Sequence, residues 1–304
     1  MFSKIFLLVF VASQFLAPSV VQEKNGQILG VETSQAEERV LPLVKEVAPE
    51  ITKLDFSEKT PDILAGSAVV IDSKSRFVFY EKNIDEQRSI ASITKLMSFL
   101  VLDDFGLDLE QKVVVKQEDY HGGMHYLRVG EEVQISDLIH LALIGSDNTA
   151  VSTLVRSTGL TDTEFVNLMN QKAYFLGLKN SSFADPTGLK AKNLSTARDV
   201  VKIFKEINKR ENLSEILGLR GAKVVTSDRT FWIKNTNILI TNTNLNIKAG
   251  KTGFTDEAGG CLVFLSKSGG RDVFFVVLGS QNKESRFTDA ESLWAWVSEN
   301  FEWE

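Results

Sequence analysis

Ser92-Ile93-Thr94-Lys95 is the first of three short motifs that decide the interpretation of this chain, its fold included. Ser146-Asp147-Asn148 begins 54 residues later, and Lys251-Thr252-Gly253 begins a further 105 residues along the chain. Each motif alone occurs by chance in many chains, but their order and spacing indicate a serine acyl-transfer site without a histidine. On a helix, a serine and a lysine three positions apart project from one face and can hydrogen-bond.

These motifs together are typical of class A β-lactamases and penicillin-binding proteins. Over residues 62–300 the chain resembles the low-molecular-mass penicillin-binding proteins, which are D-alanyl-D-alanine carboxypeptidases and endopeptidases. That family more often has glycine in the middle of its second motif, where we expect the Asp147 side chain to point away from the substrate. The further matches are Ala91–Met97, Asp185–Leu189, Lys251–Thr255, and Arg286 with Asp289.

The resemblance implies a role for each residue of the site. Ser92 is the expected nucleophile, Lys95 its base and Ser146 a proton relay to the leaving amine. Backbone N–H groups of Ser92 and Phe254 are expected to form the oxyanion hole, and Arg286 to bind the substrate's terminal carboxylate with Thr252. The full set expected to bind substrate is Asn148 (at the substrate amide), Lys251, Thr252, Gly253, Phe254 and Arg286.

Lys95 can act as a base only when it is neutral. Lowering a lysine pKa from about 10.4 to about 7 corresponds to a free energy on the order of 4.6 kcal/mol. Burial and a second positive charge, that of Lys251, both act in this direction. We therefore expect the two lysines to be electrostatically coupled.

Strand patterns near both ends of this region predict two β-hairpins. The first joins Gly66–Asp72 to Arg76–Glu81, and the second joins Cys261–Ser266 to Asp272–Gly279. Helical patterns fill the chain between them. The prediction is an α/β (α+β) fold, with an antiparallel sheet flanked by helices plus a helical lobe, and it matches the β-lactamase/transpeptidase-like fold of the resembled family.

The motifs have predicted places in this fold. The first lies on a helix, the second on an interhelical turn after Gly145, and the third on a strand. Cys261, the only cysteine, is predicted to be a small buried core residue. A closing helix is predicted to carry Trp294, Trp296, Val297 and Phe301.

Length, composition and charge limit the classes of function that this chain can have. The 304 residues, 43% of them hydrophobic, predict one catalytic domain, residues 62–304. A net charge of −6 without a basic stripe argues against nucleic acid. His121 and His125 flank two glycines with no glutamate in a zincin arrangement, so we predict a loop, no metal site and no cofactor.

The pattern of residues 1–21 predicts that the protein is exported from the cytoplasm. Lys4 precedes the apolar run Ile5–Ala12, as in a secretory signal peptide, with a retained N-terminal membrane anchor as the alternative. Polar residues 22–61 are predicted to be a linker. The expected location is extracytoplasmic: periplasm or cell wall, with the protein secreted or anchored at the outer face of the cytoplasmic membrane.

The resemblance implies a serine D-alanyl-D-alanine carboxypeptidase that acts on peptidoglycan stem peptides and is acylated by β-lactam antibiotics. A D,D-endopeptidase of the same family is the first alternative, and a catalytically inactive cell-wall binding module is the most distant. A β-lactamase would need a deacylating glutamate about 36 residues after the second motif, and none stands there. Glu164 comes only 18 residues after Ser146, in the capping-box pattern Thr161–Glu164.

Overall fold

The computed structural model describes residues 51–53, 60–268 and 270–303. The predicted signal or anchor, residues 1–21, lies outside this part of the chain, as does most of the predicted linker. The helices are α1 Thr94–Asp103, α2 Ile135–Leu143, α3 Asn148–Ser157, α4 Asp162–Phe175, α5 Ala197–Asn208, α6 Glu211–Gly218 and α7 Ser285–Asn300. None of these helices has the length and apolar character that a membrane span needs.

Thirteen strands belong to the described residues. They are β1 Ile51–Lys53, β2 Ser67–Asp72, β3 Val78–Lys82, β4 Arg88–Ser89, β5 Lys112–Val114, β6 Glu132–Gln134, β7 Leu194–Ser195, β8 Gly221–Val225, β9 Thr230–Lys234, β10 Ile247–Thr255, β11 Gly259–Ser268, β12 Arg271–Ser280 and β13 Phe301–Trp303. Five of them form the main antiparallel sheet, in the order β10-β11-β12-β2-β3, and the others pair in two-stranded ribbons. The two predicted hairpins are therefore present, β2–β3 and β11–β12, each within a few residues of its predicted bounds.

The main sheet joins the two ends of the chain. Strand β12 pairs with β2 in a register that places Val276 opposite Val69. Both residues are buried, and so is Val70 on the other face of β2, because the sheet is covered on both sides. The predicted antiparallel sheet with helices on its faces is confirmed.

Each face of the sheet has its own hydrophobic core. On one face, Val70 and Phe275 pack in the cluster that contains Leu293 of α7. On the other face, Val69 and Val276 join the larger cluster of the helical lobe, which includes Leu96 of α1 and further residues of α2 to α6. The buried start of α1 thus lies directly against the sheet, which brings the first and third motifs together.

The closing helix ends one residue earlier than predicted. Trp294, Trp296 and Val297 lie on α7, but Phe301 begins β13 and pairs with Lys53 of β1. Its ring packs edge-on against Phe79, with 5.0 Å between ring centroids. Strand β1 lies in the segment that was predicted to be a linker. It was not predicted as a strand because its partner, β13, is at the far end of the chain, and local composition does not indicate so distant a pairing.

Candidate active site

Ser92 lies just before α1 and not on it. It occupies a 3₁₀ turn, Ala91–Ile93, and the α-helix begins at Thr94. The prediction that the first motif lies on a helix is therefore correct for Lys95 and wrong for Ser92. The reason is the backbone of Ala91, whose φ of 44° is left-handed and cannot belong to a right-handed helix.

Lys95 is a fully buried lysine with three oxygen neighbours. Its Nζ lies 3.0 Å from Ser92 Oγ and donates to Asn148 Oδ1 at 2.7 Å and to the Thr187 carbonyl at 2.8 Å. Burial lowers the pKa of Lys95 to about 7, against the opposing attraction of the Asp147 carboxylate and a second acidic residue. An amine with this pKa is partly neutral at pH 7 and can accept the proton of a hydroxyl 3.0 Å away.

That second acidic residue is Asp185, which organises the loop that supplies the Thr187 carbonyl. Its Oδ1 accepts from the N–H groups of Thr187 at 2.7 Å and Gly188 at 2.8 Å. Gly188 has a φ of +90°, and a Cβ there would lie 2.1 Å from the Ala91 carbonyl oxygen. Only glycine therefore lets this loop pack against the turn that carries the candidate nucleophile.

Ser146 and Lys251 form a second serine–lysine pair. Ser146 lies on the turn between α2 and α3, as predicted, and its Oγ accepts from Lys251 Nζ at 2.9 Å. Burial lowers the pKa of Lys251 well below its ordinary value, and the charges of Lys95 and Arg286 act in the same direction. Burial is thus the main cause at both lysines. The charge of Lys95 contributes to the lowered pKa of Lys251, whereas the charges that act on Lys95 are those of Asp147 and Asp185.

Asn148 is the first residue of α3 and contacts both sides of the site. Its Oδ1 accepts from Lys95, while its Nδ2 donates to the Gly122 carbonyl at 2.9 Å. The second amide hydrogen has no protein acceptor assigned in the described residues, so it could donate to a substrate carbonyl. The contact with the loop at Gly122 was not predicted, because a backbone carbonyl leaves no mark in the sequence.

Thr252 and Arg286 lie beside this centre, each with a protein partner. Thr252 Oγ1 is 2.6 Å from Thr236 Oγ1, and Arg286 Nη1 donates to the Gly253 carbonyl at 2.7 Å. Asp289, the alternative ion-pair partner of Arg286, instead accepts from Leu64 N and Ser280 Oγ. The guanidinium is thus held against the third motif, and its buried Nε has no hydrogen-bond partner among the described residues.

A cleft of about 600 Å³ connects these groups. Ser92, Ser146, Asn148, Thr252, Gly253, Phe254 and Arg286 line it, whereas the two lysines lie beneath its surface. Gly123, Met124 and His125 also line it, and they belong to the histidine loop that was expected beside the cleft. The remaining lining residues had no predicted place in the site: Gly188, Leu189, Thr236, Thr255 and Lys283. Phe254 and Lys283 form one end wall, with the ammonium 5.2 Å from the centre of the ring.

The histidine loop and the cysteine stand outside the acid–base centre. His121 Nε2 lies 3.9 Å from an Asp162 carboxylate oxygen, and the His125 ring lies against Tyr120. Cys261 is buried as predicted, and burial raises the pKa of its thiol to about 11. A thiol with that pKa is protonated at neutral pH and is a weak nucleophile.

A five-stranded antiparallel sheet with a helical lobe, carrying a serine beside a buried lysine, defines the class of the penicillin-binding DD-peptidases. A family model described as Peptidase S11, D-alanyl-D-alanine carboxypeptidase, matches residues 54–282. The chain belongs to this family.

Individual relatives agree with the family assignment. The chain is 34% identical over 242 residues to a D-alanyl-D-alanine endopeptidase of Escherichia coli, with 78% of each chain covered. It is also 34% identical to the D-alanyl-D-alanine carboxypeptidase DacF of Bacillus subtilis, covering 73% of this chain and 59% of that protein. The crystal structure of the Streptomyces K15 DD-transpeptidase superposes with a TM-score of 0.73 at 28% identity, covering 79% of this chain and 98% of that one.

Proposed function

We propose that this protein is a serine D-alanyl-D-alanine carboxypeptidase that cleaves peptidoglycan stem peptides through an acyl-enzyme on Ser92. The observation that carries the proposal is the 3.0 Å approach of a fully buried lysine, Lys95, to the Ser92 hydroxyl. Membership of the family supports the reaction class. β-Lactam antibiotics would acylate the same serine and act as covalent inhibitors.

The geometry supports a two-stage mechanism. Neutral Lys95 takes the Ser92 proton while the serine oxygen attacks the carbonyl carbon of the penultimate D-alanine. Backbone N–H groups of Ser92 and Phe254 would stabilise the oxyanion. Ser146, held by Lys251, would then relay the proton taken up by Lys95 to the departing D-alanine amine, which returns Lys95 to its neutral form and leaves Ser146 protonated. Water would hydrolyse the remaining ester and restore the Ser92 hydroxyl.

Thr252 and Arg286 are proposed to bind the terminal carboxylate of the substrate. An Arg286→Ala variant is expected to lose at least tenfold more kcat/KM on a free-acid peptide than on the same peptide as a C-terminal amide, because arginine supplies a planar donor fork to carboxylates. Steady-state kinetics on the matched peptide pair would measure this. Equal losses on both peptides would show that Arg286 acts only through its bond to Gly253.

An endopeptidase remains a second candidate, because relatives of that name in Escherichia coli and Pseudomonas aeruginosa match with 78% of both chains covered. The two activities share the acyl-enzyme and differ in the leaving amine, which is free D-alanine in one case and a cross-linked peptide in the other. Mass spectrometry of products from purified pentapeptide and from cross-linked muropeptides would distinguish them. Release of D-alanine from the pentapeptide is the expected result, and cleavage confined to the cross-link would replace the carboxypeptidase with the endopeptidase.

A β-lactamase would need a carboxylate to activate the deacylating water, and the structure gives Glu164 another role. Its Oε2 accepts from Thr161 N at 2.9 Å, and Thr161 Oγ1 accepts from Glu164 N at 3.3 Å, which completes an exposed capping box at the start of α4. The penicilloyl-enzyme is therefore expected to persist for minutes or longer.

The corresponding prediction concerns Glu164→Gln. The variant should deacylate at the wild-type rate and lose no more than about 3 °C of melting temperature, the scale of a weakened cap in a domain of this size. Intact-mass time courses after a penicillin pulse would follow deacylation, and thermal unfolding would follow stability. Fast penicillin turnover in the wild type that collapses in Glu164→Gln would instead identify a β-lactamase.

We also propose that the catalytic domain comprises residues 62–304 together with strand β1, and that the protein works outside the cytoplasm. The family's peptidoglycan chemistry and the apolar run in residues 1–21 support this location. Processing and attachment of residues 1–21 would be tested by N-terminal sequencing of the protein from fractionated cells. Labelling with a fluorescent penicillin would distinguish the enzyme from an inactive cell-wall binding module.

A further inference from the structure

The middle residue of the second motif, Asp147, is a buried carboxylate with both oxygens bonded to backbone N–H groups. Oδ1 accepts from Ala150 N at 2.8 Å and so caps α3, while Oδ2 accepts from Tyr126 N at 2.5 Å. Burial raises the pKa of the Asp147 carboxyl, while the two N–H donors and the charge of Lys95 favour its ionised form, which has only acceptors. The side chain therefore faces away from the cleft, as expected from the sequence, but it contacts the loop that forms the cleft wall.

This loop, residues 122–126, is tied to the second motif at two further points. Met124 offers its carbonyl to Asn148 N at 2.8 Å, and the Gly122 carbonyl accepts from the Asn148 side chain. Gly123 packs so closely that a Cβ would lie 2.3 Å from Asn148 Nδ2. The loop and the motif thus form one interlocked unit, in which the Asp147–Tyr126 bond is the link that a carboxylate supplies.

The serine of the motif has a backbone conformation that needs such support. Ser146 has a φ of +59°, in the left-handed region that is unfavourable for a residue with a side chain. This conformation directs Oγ to Lys251 at 2.9 Å. The residue after it is fixed from both sides, since Asp147 N donates to the Leu141 carbonyl and its carboxylate holds Ala150 and Tyr126.

We propose that Asp147 is a positioning residue that locks the 122–126 loop to the second motif and so holds Ser146 and Asn148 in their acylation geometry. The inference rests on the proposed function, because its readout is acylation of Ser92.

The Asp147 charge also belongs to the electrostatic environment of the base. From α1 it faces Lys95, and from the loop it faces His125, Tyr120 and Tyr126. Two more charged groups act on the lysines from other elements, Asp185 on Lys95 and Arg286 on Lys251. Because the Asp147 carboxylate opposes the lowering of the Lys95 pKa, its removal should lower that pKa further.

The test compares Asp147→Asn with Thr161→Ala. Asparagine keeps an acceptor for Ala150 but turns an amide N–H₂ towards the Tyr126 N–H, whereas Thr161→Ala removes an N-cap of α4 in the same lobe. For Asp147→Asn we expect the second-order rate constant of acylation by penicillin to fall about 100-fold, the scale of a 1 Å misplacement of reacting groups. We also expect the acid limb of the pH profile of this rate constant to move to lower pH. Thr161→Ala should lose stability, while its acylation rate constant and the acid limb of its pH profile stay unchanged.

The outcomes distinguish a failure of the proposed function from a failure of the role of Asp147. A wild type that penicillin does not acylate would overturn the proposed function itself. A wild type that is acylated, with Asp147→Asn within threefold of it and the same acid limb, would overturn the role of Asp147 alone.

If Asp147→Asn does not fold, Gly123→Ala tests the same unit from the loop side. Its Cβ would push the loop away from Asn148 while leaving the aspartate intact, so acylation should fall at least tenfold. A wild-type acylation rate in Gly123→Ala would show that the contact between loop and motif does not set the geometry of the site.

Discussion

A Ser92→Ala variant is expected to form no covalent adduct with penicillin. The hydroxyl 3.0 Å from Lys95 is the proposed nucleophile, and alanine leaves no oxygen there to be acylated. Intact-mass spectrometry after incubation with excess penicillin measures the effect directly, as an adduct on the wild type and the unmodified mass on the variant. The fold should persist, because Ser92 is only half-buried and its loss opens little space in the core.

Ser98→Ala is the matched control. Ser98 is a buried serine on α1, one turn beyond Lys95, and its Oγ donates to the Pro186 carbonyl at 2.6 Å. Its loss should lower stability while leaving the penicillin adduct stoichiometric. A stoichiometric adduct on Ser92→Ala, mapped to another serine, would contradict the assignment of the nucleophile.

Lys95→Arg is expected to slow acylation at least about a hundredfold, since general-base catalysis contributes about 10² to 10⁴ and a guanidinium cannot release its proton near neutral pH. In the wild type, the acylation rate should rise with pH, reach half its maximum near pH 7 and level off above it, because only the neutral form of Lys95 accepts the proton and its pKa is about 7. This limb should disappear in Lys95→Arg. Stopped-flow acylation across pH 5–9 would measure both effects.

Two comparisons distinguish the loss of the base in Lys95→Arg from a packing defect caused by the larger side chain. Lys251→Arg makes the same replacement at the other buried lysine, whose Nζ contacts Ser146 Oγ at 2.9 Å and not Ser92, so it should retain more acylation than Lys95→Arg. Circular dichroism and thermal unfolding would establish that both variants fold. A folded Lys95→Arg enzyme with near-normal acylation would remove Lys95 from the mechanism.

The features that could be predicted from the sequence are those that depend on the types of side chains close together along the chain. Runs of β-branched and aromatic residues separated by turn residues predicted the β2–β3 and β11–β12 hairpins, and the three motifs predicted which side chains share the cleft.

The features that escaped prediction are made by backbone atoms or by distant pairings. Lys95 donates to the carbonyl of Thr187, and Asn148 to that of Gly122, and a carbonyl group is common to every residue type. The left-handed conformation of Ala91, in the 3₁₀ turn that precedes α1, could not be predicted either, because alanine is normally a strong helix former. Strand β13 at Phe301 depends on a partner strand some 250 residues earlier in the chain.

Ala91 and Ser146, the two left-handed residues beside the reacting groups, place a constraint on how this enzyme can be improved. Each position costs folding free energy that a glycine would recover, so a library selected for heat resistance alone would favour glycine at both. Glycine at 146 removes the proposed proton relay, and glycine at 91 loosens the turn that presents the nucleophile. Selection for stability in this protein must therefore be coupled to selection for acylation, or it will erode the site.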